Sequence, residues 1–141
     1  MSKLRLIFLI ILIPTAFFRC STESPIPEVY VNFILILDHH QVLNVPGNSI
    51  FIPTEGYRGL IVTHGFDEQD KYYAYDAACT YDPEIQGATI EIDGISAVCP
   101  ICGSKFSLML NGYVENGPAS LSLKTYVVNY NQNTHELVIH N

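Results

Sequence analysis

A chain of 141 residues, 48 % hydrophobic and only 15 % charged, has room for one folded domain and is too apolar for a disordered or polyelectrolyte segment. Seven basic residues against fourteen acidic ones give a formal charge of −7, a poor match for a phosphate backbone, so nucleic acid is set aside as a partner. Lys3, Arg5 and Arg19 supply three of the basic residues, and without them the charge falls to about −10.

The chain opens with those basic residues around an unbroken apolar run, residues 6–18 (LIFLIILIPTAFF). Thirteen residues are too few for a membrane-spanning helix, which needs ~20. A positive start followed by a short apolar run reads as a secretory signal peptide over residues 1–19. It does not end in small residues: Phe17, Phe18 and Arg19 precede Cys20. A Cys directly after an apolar run, followed by Ser21-Thr22-Glu23-Ser24 and by Pro25 and Pro27, resembles a bacterial lipoprotein. That resemblance implies that Cys20 is lipidated, that residues 20–28 form a polar tether, and that Ser21 after the Cys directs the protein to the outer membrane. Two or more acyl chains hold a protein firmly to a membrane. A secreted protein with a spare thiol is the alternative.

The body, residues 29–141, reads as strands throughout. Residues 29–37 (VYVNFILIL) are apolar and β-branched. Residues 49–53, 59–64, 71–76, 88–92 and 95–98 are short runs cut by Gly, Pro, Asp and Asn. Asp93-Gly94 between two of them predicts a tight hairpin, because a type I′ turn needs φ > 0 at both central positions. Residues 125–130 and 137–140 flank Asn131-Gln132-Asn133-Thr134, a second hairpin. No twelve-residue window keeps helical periodicity, so the fold class is all-β.

Chemistry concentrates in Cys79-Thr80-Tyr81 and, twenty positions on, Cys99-Pro100-Ile101-Cys102-Gly103-Ser104-Lys105-Phe106. Each half begins where a strand ends, and two loops that bring thiols together make a metal or redox site. Gly103 frees the backbone to curl, because glycine tolerates φ > 0. Other candidates are weaker. Asp38-His39-His40 reads as a solvated loop, since neighbouring side chains on an extended chain point to opposite faces. No nucleophile has a general base at recognisable spacing, and no glycine loop suits phosphate, so the chain is no enzyme and no small-molecule substrate is evident.

The two halves resemble a Rieske [2Fe–2S] domain, in which a strand ending Cys-Thr-His is followed by Cys-Pro-x-His-Gly-Ser-x-Phe. Downstream, Gly112-Tyr113, then Gly117-Pro118-Ala119, then residues 123–128 (LKTYVV) look like the family's Gly-Pro-Ala loop and final strands. The resemblance covers residues 29–141 and is firmest over 72–128. It implies short antiparallel strands in stacked sheets with two ligand loops at one end. It also implies that Ser104 hydrogen-bonds a cluster sulfur, that Pro118 shields the cluster, and that the protein passes single electrons to a redox partner.

The ligand set differs from the family's two Cys and two His. Cys79 and Cys99 match the Cys ligands, Tyr81 stands at the first His position and Cys102 at the second, and all five histidines lie outside the motif. A phenol loses its proton at neutral pH only to a strong Lewis acid. Three outcomes are open. A [2Fe–2S] cluster binds through Cys79, Cys99 and Cys102, completed by Tyr81 or an outside ligand, at a lower potential than a His-ligated cluster. Zinc takes the three thiolates plus Tyr81 or water as a structural clip. Or the site is empty and closes a disulfide, Cys79–Cys99 on the iron analogy or Cys99–Cys102 locally. A cluster makes the protein an exported, lipid-anchored electron carrier; without one it is a structural or binding β-module of the cell envelope.

Overall fold

The computed structural model describes residues 24–66 and 71–141. The expected signal peptide and Cys20 lie outside the described residues, as does the start of the tether. Among the described residues no helix is long and apolar enough to cross a membrane.

Among the described residues ten strands follow one another: β1 (Asn32–Ile36), β2 (Ser49–Ile52), β3 (Leu60–His64), β4 (Tyr72–Asp76), β5 (Glu91–Asp93), β6 (Ser96–Val98), β7 (Lys105–Ser107), β8 (Val114–Asn116), β9 (Thr125–Asn131) and β10 (Glu136–His140). They form a six-stranded sheet, β1-β10-β9-β4-β3-β2, and a four-stranded meander, β5-β6-β7-β8. Every pairing is antiparallel. The all-β reading stands.

β3 explains how the two sheets fit together. All five of its residues are buried. Successive side chains on a strand face opposite ways, so a strand buried on both sides separates two cores. Leu60 and Val62 join Leu35, Tyr72, Ala74, Tyr126, Leu137 and Ile139 inside the curl of the large sheet. Ile61, with Tyr75 of β4, faces Ala97 of β6 and Phe106 of β7 in a second core under the small sheet. Cys79 and Cys99 belong to that second core.

Three expectations change. The run at 29–37 gives a strand only over Asn32–Ile36, because Leu37 begins a 3₁₀ turn that carries its side chain into the first core. The first hairpin pairs Asp93 with Ser96, so its central residues are Gly94 and Ile95 rather than Asp93 and Gly94. Gly94 alone takes the positive φ, 62°, the pattern of a type II′ turn. The run at 88–92 divides: β5 starts at Glu91, while the residues before it pair back across the first ligand loop. The second hairpin forms where expected but with its turn one residue later, over residues 132–135, with Asn131 in β9 opposite Glu136 and His135 at φ 52°.

Candidate metal centre

Two closed loops carry the cysteines. The first leaves β4 and returns on itself: the Cys79 N–H donates to the Ala88 carbonyl at 3.0 Å, and the Ile90 N–H to the Ala77 carbonyl at 2.8 Å. Arg58 clamps its outer end, Nε donating to the Pro83 carbonyl at 2.8 Å and Nη2 to the Ile85 carbonyl at 2.9 Å. The second loop is the β6–β7 turn. The Cys99 N–H donates to the Ser104 carbonyl and the Gly103 N–H to the Cys99 carbonyl, both at 2.9 Å, with Gly103 at φ 72°. A third segment locks both. The Thr80 hydroxyl donates to the Leu121 carbonyl at 2.6 Å, and the Ala119 N–H to Ser104 Oγ at 3.0 Å.

These contacts bring Cys79, Cys99 and Cys102 together, with their Sγ atoms all within 4.8 Å of one another. All three are free thiols, and Cys79 and Cys102 are in contact at 3.5 Å. Cys79 and Cys99 are buried, while Cys102 is half-buried. A pocket of about 200 Å³ opens above them, walled by Tyr81, Asp82, Ile85, Ala88 and Ile101. Tyr81 lines this pocket but is 56 % exposed, and Ile85 and Ile101 are also exposed, giving the thiols an apolar rim. Pro118 is exposed, whereas Ser104 is fully buried.

Ser104 favours ionisation of Cys102 over that of Cys79. Its Oγ already accepts from the Ala119 N–H, so its own proton is free to turn toward sulfur. The neutral Cys102 thiol donates to that Oγ at 3.1 Å; once Cys102 loses its proton, the direction reverses. Burial acts against the Cys102 thiolate, but hydrogen bonds from the Ser104 hydroxyl and N–H, and from Cys79 and Cys99, outweigh it and lower the pKa. Burial pushes the Cys79 thiol up to about 12; the Tyr81 N–H pulls against this, and the Cys102 and Cys99 thiols add to it. In the metal-free chain Cys102 therefore reacts with iodoacetamide before Cys79, because the thiolate is the nucleophile. Ser104→Ala slows that first modification. Peptide mass spectrometry after timed quenching reads the order, and labelling of Cys79 first would refute the assignment.

No histidine approaches the thiols. His64 sets Nδ1 2.7 Å from the Leu43 carbonyl and stacks on Tyr72, His135 meets Asp38 at 3.3 Å, and His140 meets Asn129 at 3.0 Å. Asp38 and His39 sit on an exposed 3₁₀ turn.

Arg58 and Asp76 are supporting residues that the motif reading did not single out, and it gave Thr80, inside the first motif, no role. Their partners lie up to 50 residues away in sequence, so no local spacing marks them.

Among solved structures, the chain is similar to a chain of the complex of reduced oxygenase and oxidized ferredoxin in carbazole 1,9a-dioxygenase. Identity is 19 % over 81 % of this chain and 94 % of that one, with a TM-score of 0.52. It is also similar to the plasma membrane Rieske protein PetC3 of the cyanobacterium Synechocystis PCC 6803, at 20 % identity over 79 % of this chain and 98 % of that one, TM-score 0.50. No family model and no curated protein matches. The architecture is the Rieske fold, and its two ligand loops hold a cysteine triad.

A [2Fe–2S] cluster of that fold takes four ligands as two pairs, one pair on each iron. Here the second pair would be Cys102 and Tyr81, yet Cys102 Sγ lies 3.5 Å from Cys79 Sγ, as though on the first iron. The donor set as placed does not fit the two-iron cluster.

Proposed function

We propose that this protein is a one-electron carrier of the bacterial cell envelope. In this reading the leading segment exports it, Cys20 anchors it in the outer membrane, and the domain presents a thiolate-held iron at its tip to a redox partner. The observation that carries the reading is the convergence of three Sγ atoms within 4.8 Å at the ligand loops of a Rieske fold. A purely structural turn has no need of three thiols. Thiolate-bound iron supplies one-electron chemistry. The chain's residues do the rest: Arg58 and Thr80 fix the first loop, Ser104 orients Cys102 and stabilises negative charge on its sulfur, and Ile85 and Ile101 form an apolar contact surface around the centre. An apolar rim suits a brief encounter that brings the centre close to its partner.

Purified from iron-supplied cells, the protein should be coloured by sulfur-to-iron charge transfer, and dithionite should bleach the colour reversibly. A colourless, iron-free protein would end the carrier reading. For the anchor, Cys20→Ala should move the protein from the membrane to the soluble fraction; an unchanged distribution would refute lipidation.

The 3.5 Å contact favours one other reading, a redox-inert envelope module clipped by a Cys79–Cys102 disulfide. Its formation moves two protons and two electrons from the thiols to a disulfide oxidant of the envelope. This pair is neither of the two the iron analogy and the local spacing suggest. Thiol counting under denaturation separates the readings: one reactive thiol among these three marks the clip, and three mark the metal site.

A further inference from the structure

We infer that the triad holds a single tetrahedral metal ion, not a two-iron cluster, and that the ion's fourth position opens into the pocket above it. The inference rests on the metal-centre reading and specifies its nuclearity.

Spacing is the first argument. Thiolates on one tetrahedral ion at a metal–sulfur bond of ~2.3 Å stand ~3.8 Å apart. Here all three sulfurs lie within 4.8 Å and one pair at 3.5 Å, so adjustments of less than about 1 Å place them on one ion. Two bridged irons would instead need Cys102 Sγ to move away from Cys79 Sγ to serve the farther metal.

Reach and restraint supply the second argument. A cysteine sulfur extends less far from the backbone than an imidazole nitrogen, so Cys102 at a histidine position stops short of a second iron. It cannot swing outward freely. The Gly103 N–H bond to the Cys99 carbonyl closes its turn, and Ser104, itself held by the Ala119 N–H, anchors its sulfur. Gly117 presses on Ser104 from behind, where even a Cβ would come within 2.5 Å of the Ser104 Cα.

The third argument concerns the fourth donor. Cys79, Cys99 and Cys102 are the one group of three or more metal-ligating side chains that converges among the described residues. Asp82 borders the pocket without joining that group, its carboxylate accepting the Glu84 N–H at 3.2 Å, and Tyr81 on the same rim is 56 % exposed. Three fixed thiolates and a pocket of about 200 Å³ leave one coordination position to water or an incoming small ligand.

The test uses the full-length chain, reduced, stripped of metal and titrated with Co²⁺. The expected result is saturation at one ion per chain, sulfur-to-cobalt charge transfer, and d–d bands of tetrahedral intensity, with Zn²⁺ displacing cobalt one for one. Tyr81→Phe and Asp82→Asn should leave these bands unshifted, and a shift in either variant would overturn the open position. Reconstitution of the wild type with iron and sulfide should leave one iron and no acid-labile sulfide per chain. Two irons and two sulfides per chain would overturn the single-ion inference while leaving the carrier reading intact. A wild-type chain that retains no metal would overturn both. A single ion that does not cycle between oxidation states as iron would uphold the inference and end the carrier reading alone.

Discussion

Asp76→Ala should destabilise the domain by about 3–5 kcal/mol, a large fraction of the 5–15 kcal/mol typical of a domain this size. Asp76 ends β4, is fully buried and, among the described residues, has no cationic partner within its hydrogen-bonded shell. Its carboxylate instead gathers donors from three parts of the chain: the Tyr57 N–H at 2.7 Å, the Arg58 N–H at 3.3 Å, the Ala78 N–H at 3.0 Å and the Tyr126 hydroxyl at 2.9 Å. Alanine strands those donors, and each buried one that water cannot reach costs about 1–3 kcal/mol. Burial, and next the negative charge of Asp76, holds the Tyr126 phenol well above its ordinary range, so that group stays a donor at every physiological pH. Tyr126→Phe should cost less, about 1–3 kcal/mol, because it removes one hydrogen bond to a charged group. Urea unfolding reads both; an Asp76→Ala loss below 1 kcal/mol would refute the argument. The effect reaches the centre, because Arg58 and Ala78, positioned by this carboxylate, flank the first ligand loop.

Gly117→Ala should remove the centre's support from the opposite side. Gly117 has φ +103°, and its added Cβ would meet Ser104 Cα at 2.5 Å and Ser104 N at 3.0 Å. Those are backbone atoms of the second ligand loop, so no side-chain rotation relieves the overlap. Strain of about 1–3 kcal/mol comes with the φ alone, and Ser104 must shift in addition. A displaced Ser104 loses its hold on Cys102, and loss of such a supporting hydrogen bond lowers metal affinity by roughly 10–100-fold. Gly103→Ala is the control: φ +72° strains it, but nothing lies within 4 Å of its Cβ. Competition with a chromophoric chelator should show the larger loss for Gly117→Ala, and equal losses would refute the steric account.

The sequence made the strands and the cysteine convergence legible for identifiable reasons. Short apolar runs and the turn residues that cut them mark β2, β3, β4, β9 and β10, and the second hairpin falls within one residue of where Asn131-Gln132-Asn133-Thr134 predicts it. Cys79, Cys99 and Cys102 come together because two loops, one after β4 and one between β6 and β7, set all three against the second core. β7 (Lys105–Ser107) and β8 (Val114–Asn116) are three residues each, too short for any period to show. The fate of residues 88–90 was hidden too, since their partners at 77–79 lie across a loop and the choice is made by tertiary contact, not by β-propensity. Asp76 is the instructive miss. One carboxylate closing an otherwise apolar strand, YYAYD, is a signal that its partners must be found elsewhere, though nothing in the strand names them.

The double burial of β3 has a further consequence. Because Leu60 and Val62 belong to one core and Ile61 to the other, neither half can solvate without exposing the same strand. The two cores should therefore melt together in a single transition, so that an unfolding scan read near the thiols and one read in the large sheet coincide.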